Sequence, residues 1–245
     1  MGLMCPSANQ RDKEQFGGDK FVLTSSDLTQ RKLQYFEFLG IIMGIAIRTG
    51  IHLVLDLPAI FWKNLIGANP TTIDIHQIEQ RFFNKMNMIL KQTKDEEVEP
   101  YYWTVMLADG KEFDLTTDGT GREKEVSFNE RIEYVRRCIY TKLTESSVQC
   151  AAVRRGLVKI IPESILNQIS WEEMESWVCG QKYIDVDLIQ RNTKLVGFKP
   201  DDELIVNFWQ LFESLNQQDR RSFVKFVYAI ERLPVTDEDW NRMKL

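Results

Sequence analysis

Hydrophobic and polar positions alternate along this chain mostly with the period of a helix. The strongest signal is Leu33 to Gly67, LQYFEFLGIIMGIAIRTGIHLVLDLPAIFWKNLIG. It opens on ten residues, Phe38 to Ile47, bounded by Glu37 and Arg48 and carrying no charge. A bilayer needs roughly 20 apolar residues as a helix, so this run predicts a buried core helix, apolar all round, and no membrane span. Gly40 and Gly44 fall on one face of it and predict a place where another backbone comes close inside a soluble core. The helix is expected from a cap at Ser25-Ser26-Asp27, with Gln30 in a capping-box position, to Thr49, where Gly50 ends it. Pro58 opens a second helix that Gly67 closes.

Before this stretch, residues 1 to 23 are polar and Gly-rich, which predicts irregular chain with a short strand at Lys20 to Leu23 and Cys5 in a loose tail. After it, Asn69-Pro70-Thr71-Thr72 marks a turn. Ile75, Ile78, Phe82, Met86, Ile89 and Leu90 then continue with a 3.6-residue period, one helix from Ile73, up to a charged loop at Lys91 to Glu99. Tyr101 to Leu107 is aromatic and β-branched, Asp109-Gly110 is a hairpin signal, and Glu112 to Leu115 is the partner strand. Ser127 with Glu130 forms a capping box for a helix whose apolar stripe is Phe128, Ile132, Val135, Ile139 and Leu143, with Tyr134 and Cys138 beside it. Further helices are expected over Ser147 to Val158, from Ser170 to Gly180, after Asp185, from Asp201-Asp202 with Leu204, Phe208, Leu211, Phe212 and Leu215 inward, and from Asn216 with Phe223, Phe226, Val227 and Ile230 inward. The fold class is mainly α with a small β-hairpin, α+β.

Composition removes several function classes. A length of 245 residues with 43% hydrophobic side chains can bury a sizeable core. A net charge of −5 and the absence of a basic block argue against a nucleic-acid surface. Four cysteines, at 5, 138, 150 and 179, form no CxxC pair, so a zinc site has no support; no metal or small cofactor is expected. The start of the chain lacks the basic flank and apolar run of a signal peptide, and the expected compartment is the cytoplasm. His52 and His76 are read as structural or exposed, and Cys138, Cys150 and Cys179 as small hydrophobes.

Seven ordered blocks resemble the N-terminal lobe of the HECT ubiquitin ligases. They are Phe36-Glu37-Phe38-Leu39-Gly40 with Gly44-Ile45-Ala46-Ile47, Asp56-Leu57-Pro58 and Phe61-Trp62-Lys63; Val126 to Val135; Arg155-Gly156-Leu157 with Ile160-Ile161-Pro162; Trp177-Val178-Cys179-Gly180 with Ile184-Asp185-Val186; Asn192-Thr193-Lys194; Val206-Asn207-Phe208-Trp209; and Phe223 to Val227 with Arg232-Leu233-Pro234. Their details are similar to the large HERC-type branch. The sequence departs from the family pattern at Leu195-Val196-Gly197-Phe198 and at Val235-Thr236-Asp237.

The resemblance implies a partly irregular segment over 1–32, the lobe itself over 33–235 with a small subdomain at about 70–143 that recruits the conjugating enzyme, and the start of an interlobe linker at 236–245. It implies an apolar groove for that enzyme on Phe83, Met86, Leu90, Tyr102, Tyr134 and Cys138. The family's nucleophilic cysteine stands in a separate lobe, in a TCF motif that none of the four cysteines here matches, so no catalytic residue is assigned and the chain alone is expected to be inactive. The implied function is that of a HECT-type E3 ubiquitin-protein ligase domain, with ubiquitin and a ubiquitin-conjugating enzyme as partners. The alternative is a non-catalytic module that sequesters the conjugating enzyme.

Overall fold

The computed structural model describes residues 2–13, 17–94, 99–229, 232–235 and 240. The elements run β1 (Met4–Pro6), α1 (Ala8–Arg11), β2 (Phe21–Leu23), α2 (Gln30–Thr49), α3 (Ala59–Ile66), α4 (Thr72–His76), α5 (Gln80–Lys91), β3 (Thr104–Met106), β4 (Glu112–Asp114), a 3-10 turn (Phe128–Glu130), α6 (Arg131–Thr144), α7 (Ser147–Leu157), α8 (Glu163–Leu166), α9 (Trp171–Cys179), α10 (Val186–Asn192), α11 (Glu203–Ser214) and α12 (Gln217–Tyr228). Among the described residues the protein is mainly α, with two small antiparallel two-stranded sheets, β1–β2 and β3–β4. It divides into two units, one of 1–44 and 56–172 and one of 45–55 and 173–245. The stretch 70–143 lies wholly within the first. Ile230 and the expected linker, apart from Trp240, lie outside the described residues, as does part of the loop at 91–99.

The first unit is built on a crossing of α2 and α7. A Cβ on Gly40 would stand 1.9 Å from the Val153 carbonyl oxygen, and one on Gly156 would stand 1.8 Å from the Glu37 carbonyl oxygen. Backbone therefore lies against backbone, and only hydrogen fits at either position. Gly44 instead faces the Ile160 side chain, its Cβ position 2.6 Å from the Ile160 Cβ. Above the crossing, Glu37 accepts from Lys159 at 2.5 Å, which holds its carboxyl below the usual range. The close approach is as expected, but the burial of α2 is one-sided. Phe36 and Met43 are fully buried, whereas Phe38 is 58% exposed. A lack of charge removes the penalty for burying a face without requiring that the face be buried. α3 lies beside α7 with Trp62 and Leu65 fully buried, and Arg154 donates to the Leu65 carbonyl at 2.7 Å.

Three local expectations are corrected. Cys5 is not in a loose tail: it pairs with Val22 across β1–β2, where β2 is the short strand expected there. A partner strand far along the sequence leaves no periodic trace in so short a stretch. The predicted helix from Ile73 is two helices, because the buried Asn9 takes up the polar groups freed at the break. Its amide donates to the His76 carbonyl at 3.3 Å and its oxygen accepts from the Gln80 amide at 2.7 Å. The cap of α2 is Thr29, which accepts from the Lys32 amide at 3.2 Å. Ser26 and Asp27 instead hold the β3–β4 turn, through Asp109 and Lys111.

On α6 the buried side is Tyr134, Val135, Cys138 and Lys142, while Ile132 is 60% exposed. The stripe read from the sequence is thus rotated about one position, because a buried lysine cannot be recognised by hydrophobicity. Lys142 Nζ lies 2.7 Å from Glu79 Oε2 and 3.9 Å from Glu145 Oε2. Glu145 Oε2 is buried and accepts no hydrogen bond among the described residues. Burial raises the Glu145 carboxyl to about 7, against the pull of Lys142.

In the second unit, Asp185 caps α10 by accepting from the Asp187 and Leu188 amides, and Asn216 caps α12 by accepting from the Asp219 amide, both as predicted. Phe208, Phe212 and Phe223 form an aromatic cluster with Phe212–Phe223 centroids 5.0 Å apart. Ile205, Phe212 and Val224 are the buried positions of α11 and α12, while Leu204, Leu211 and Phe226 are exposed, contrary to expectation. α11 carries two apolar stripes one residue apart, and periodicity alone cannot say which turns inward. At Gly180 (φ +77°) the chain leaves α9 where a Cβ would stand 2.7 Å from the Leu233 carbonyl.

Two outcomes follow from the packing of the first unit. Gly40→Ala forces the crossing apart and is expected to cost about 2 kcal/mol or more, measured by denaturant unfolding; an unchanged midpoint and slope would refute the close approach. The Glu145 carboxyl is raised in the folded state, so its contribution is fully present below the unfolded value near 4.5 and is lost as pH rises through about 7. Glu145→Gln should therefore match the parent near pH 4.5 and exceed its stability increasingly towards pH 8, by at most about 3 kcal/mol. A stability difference that is flat with pH would contradict the buried carboxyl.

Candidate functional site

The first unit has a second core, between α5, β3–β4 and α6, made by Met86, Ile89, Trp103, Val105, Leu115, Val126, Tyr134, Val135 and Cys138. Backbone bonds fix its strand segment on both sides: the Leu115 amide donates to the Trp103 carbonyl at 2.9 Å, and the Val126 amide to the Tyr101 carbonyl at 2.7 Å. Strand alternation then sends Trp103 and Val105 inward and leaves Tyr102 and Met106 42% and 54% exposed. The predicted capping box at the head of α6 is present, with Glu130 accepting from the Ser127 hydroxyl at 2.6 Å.

A cleft of about 420 Å³ opens on this core. Its floor is Met86, Val105 and Tyr134, all buried. Tyr134 is locked in place: it stacks on Tyr101 at 6.3 Å, meets Trp103 edge-on at 5.9 Å, and donates its hydroxyl to the Thr104 carbonyl at 3.3 Å. Burial pushes that hydroxyl well above the ordinary phenol range, so it stays protonated. Phe82 and Tyr101 form the walls, and Lys85 Nζ lies 5.4 Å from the Tyr101 ring centre. The rim is Tyr102 and Met106 with four charged residues, Glu79, Arg81, Lys85 and Glu112. An apolar floor ringed by mixed charge suits an apolar anchor from a polar protein surface.

Of the six residues implied by the resemblance, the structure brings Met86, Tyr102 and Tyr134 to this cleft. It does not bring Phe83, Leu90 or Cys138. Phe83 turns away to meet the His76 ring edge-on at 4.9 Å. Leu90 is 42% exposed at the far end of α5. Cys138 is fully buried beside Tyr134, and burial raises its thiol to about 11. Phe82 lines the cleft where Phe83 does not, and the helical period contains that difference: Phe82 and Met86 are four apart on one face. Tyr101 and Met106 were also missed, and only the alternation of the strand pointed to Met106.

Cys138, Cys150 and Cys179 are buried. Burial raises the thiols of Cys150, to about 12, and of Cys5. Among the described residues no group of histidine, cysteine and carboxylate side chains could hold a metal ion. No helix among them is long and apolar enough to cross a membrane.

The family described as HECT-domain (ubiquitin-transferase) matches residues 3–239. The chain is 32% identical over 241 residues to the E3 ubiquitin-protein ligase HERC2 of Homo sapiens and to that of Mus musculus, covering 97% of this chain and 5% of theirs. It is 30% identical over 261 residues to HECTD4 of Homo sapiens, a probable E3 ubiquitin-protein ligase, covering 96% of this chain and 6% of that one. The chain thus spans only a small part of the length of these relatives. A match to the family over residues 3–239, with two similar relatives carrying ubiquitin-ligase names, leaves one conclusion: this chain belongs to the HECT-domain (ubiquitin-transferase) family.

Proposed function

We propose that this chain is the recruiting part of a HECT-type E3 ubiquitin ligase and that its cleft between α5, β3–β4 and α6 docks a ubiquitin-conjugating enzyme. The observation that carries this reading is the pairing of exposed Tyr102 and Met106 with a locked apolar floor, inside a chain of this family. The stretch 70–143 acts as the small recruiting subdomain. The conjugating enzyme presents an apolar anchor side chain to Met86 and Tyr134, and its polar surroundings meet Glu79, Arg81, Lys85 and Glu112. In the complete ligase, ubiquitin passes from the conjugating-enzyme thioester to a ligase cysteine and then to a substrate lysine. That nucleophile is assigned to another lobe of the ligase: attack needs an accessible thiolate, and burial keeps Cys138 and Cys150 as thiols at neutral pH. Four cysteines outside any disulfide fit a reducing compartment, and the cytoplasm is the proposed location.

Tyr102→Ala and Met106→Asp test the cleft, because both residues are exposed and their loss spares the core. Each should weaken binding of the best conjugating enzyme from a panel by about 2 kcal/mol, near thirtyfold, with an unchanged melting temperature. Unchanged affinity in both, measured by calorimetry, would remove the cleft from the interface. Incubation of the 245-residue chain with activating enzyme, conjugating enzyme, ubiquitin and ATP should give no thiol-sensitive ubiquitin adduct on it. A reducible band abolished by a single cysteine-to-serine change would overturn the assignment of the nucleophile elsewhere.

A further inference from the structure

Beneath the cleft lies a charge cluster that the docking surface itself does not use. Lys142, near the end of α6, is 3% exposed in its side chain. Its ammonium is 2.7 Å from Glu79 Oε2, 3.9 Å from Glu145 Oε2, and 5.4 Å from the centre of the Phe82 ring. Glu79 and Phe82 are both cleft residues. Glu145 is not; it accepts from the Ala108 amide, in the turn of the hairpin that forms the opposite wall. One buried cation thus ties the start of α5 to the end of α6, and through Glu145 to the β3–β4 turn. These are the three elements that enclose the cleft.

We propose that Lys142 is a positioning residue for the cleft: it pins Glu79 and Phe82 in the wall while Glu145 competes for the same ammonium, so that the charge of Glu145 sets how firmly the wall is held. A buried ammonium is stabilised by a carboxylate close to it, and one ammonium cannot fully serve two. With Glu145 protonated, Lys142 belongs to Glu79, and the rim carboxylate and the ring are fixed. With Glu145 ionised, the ammonium is shared and Glu79 is held less tightly. The groups that face Glu145 from its neighbours are Lys142 on α6, Glu79 before α5, Asp109 in the hairpin turn and Cys5 on β1, with Arg11 acting on Cys5 from α1. Among them Glu145 carries the carboxyl raised towards neutrality, and burial is the main cause. The unbonded Glu145 Oε2 is the geometric counterpart: a buried carboxylate oxygen with no donor favours the neutral form.

The binding half of this inference rests on the recruiting reading of the cleft; the positioning half does not, and the experiment separates them. The Phe82 ring resonances of the full chain are followed by NMR from about pH 5.5 to about 8.5, in the parent and in Glu145→Gln. The parent rings should titrate with a midpoint near 7, and the titration should vanish in Glu145→Gln. Rings that do not move with pH in the parent, or that move identically in the variant, overturn the inference. Affinity for the conjugating enzyme is measured over the same range. The parent should weaken as pH rises relative to Glu145→Gln, whereas parallel profiles would overturn the coupling to binding. Lys142→Met should weaken binding about tenfold and Lys142→Arg should recover most of it. If no conjugating enzyme binds the parent, the recruiting reading fails and the ring titration alone decides the role of Lys142.

Discussion

The contact of α2 with α7 through Gly40 and Gly156 is the constraint on which the first unit depends. At both positions the space for a Cβ is already occupied by a carbonyl oxygen of the other helix. Two helices so close have little freedom to slide, and the flanking pair of Glu37 with Lys159 fixes the polar edge of the crossing. From α7 the placement passes on. Arg154 receives the end of α3, and Gln149 donates to the Thr24 carbonyl at 2.8 Å, close in sequence to the Ser26 that holds the hairpin turn. The cleft is therefore carried on a rigid base although it lies far from the crossing in sequence.

The cleft itself is held by polar contacts under an apolar lining. Asn9 fixes the start of α5 from the N-terminal segment, Ser26 and Asp27 fix the hairpin turn, and Lys142 joins the two through its carboxylates. Such contacts are costly if incomplete and specify one arrangement when satisfied. A floor of Met86, Val105 and Tyr134 placed in this way presents a pocket already formed, and a preformed pocket spares a partner the cost of ordering it.

What was legible in the sequence is what rests on local chemistry. The capping box at Ser127 and Glu130, the caps at Asp185 and Asn216, the hairpin turn at Asp109-Gly110 and the helix stop at Gly67 follow from side chains that bond to their own neighbours or tolerate a left-handed backbone. The close approach at the paired glycines of α2 is legible, but Gly156, which meets α2 beside Gly40, lies more than a hundred residues on and could not be named from spacing. What was not legible depends on distant partners: the strand at Cys5, the break filled by Asn9, the buried Lys142. Of the six residues that the resemblance implies for a groove, Met86, Tyr102 and Tyr134 line the cleft. Phe83, Leu90 and Cys138 came from a family pattern, which places a residue on an element but not on a side of it. The choice of Phe82 over Phe83 turns on about 100° of helix rotation, a difference set by packing against His76.

The proposal at the centre of this account is that the cleft between α5, β3–β4 and α6 receives the conjugating enzyme. The most direct measurement is a titration of the isotope-labelled chain with an unlabelled conjugating enzyme, read by NMR at backbone amides and methionine methyls. The account predicts that the perturbed resonances gather at Met86, Tyr102, Val105, Met106 and Tyr134. Perturbations gathered instead on the exposed apolar residues of α11 and α12, Leu204, Leu211 and Phe226, with the cleft unchanged, would contradict it.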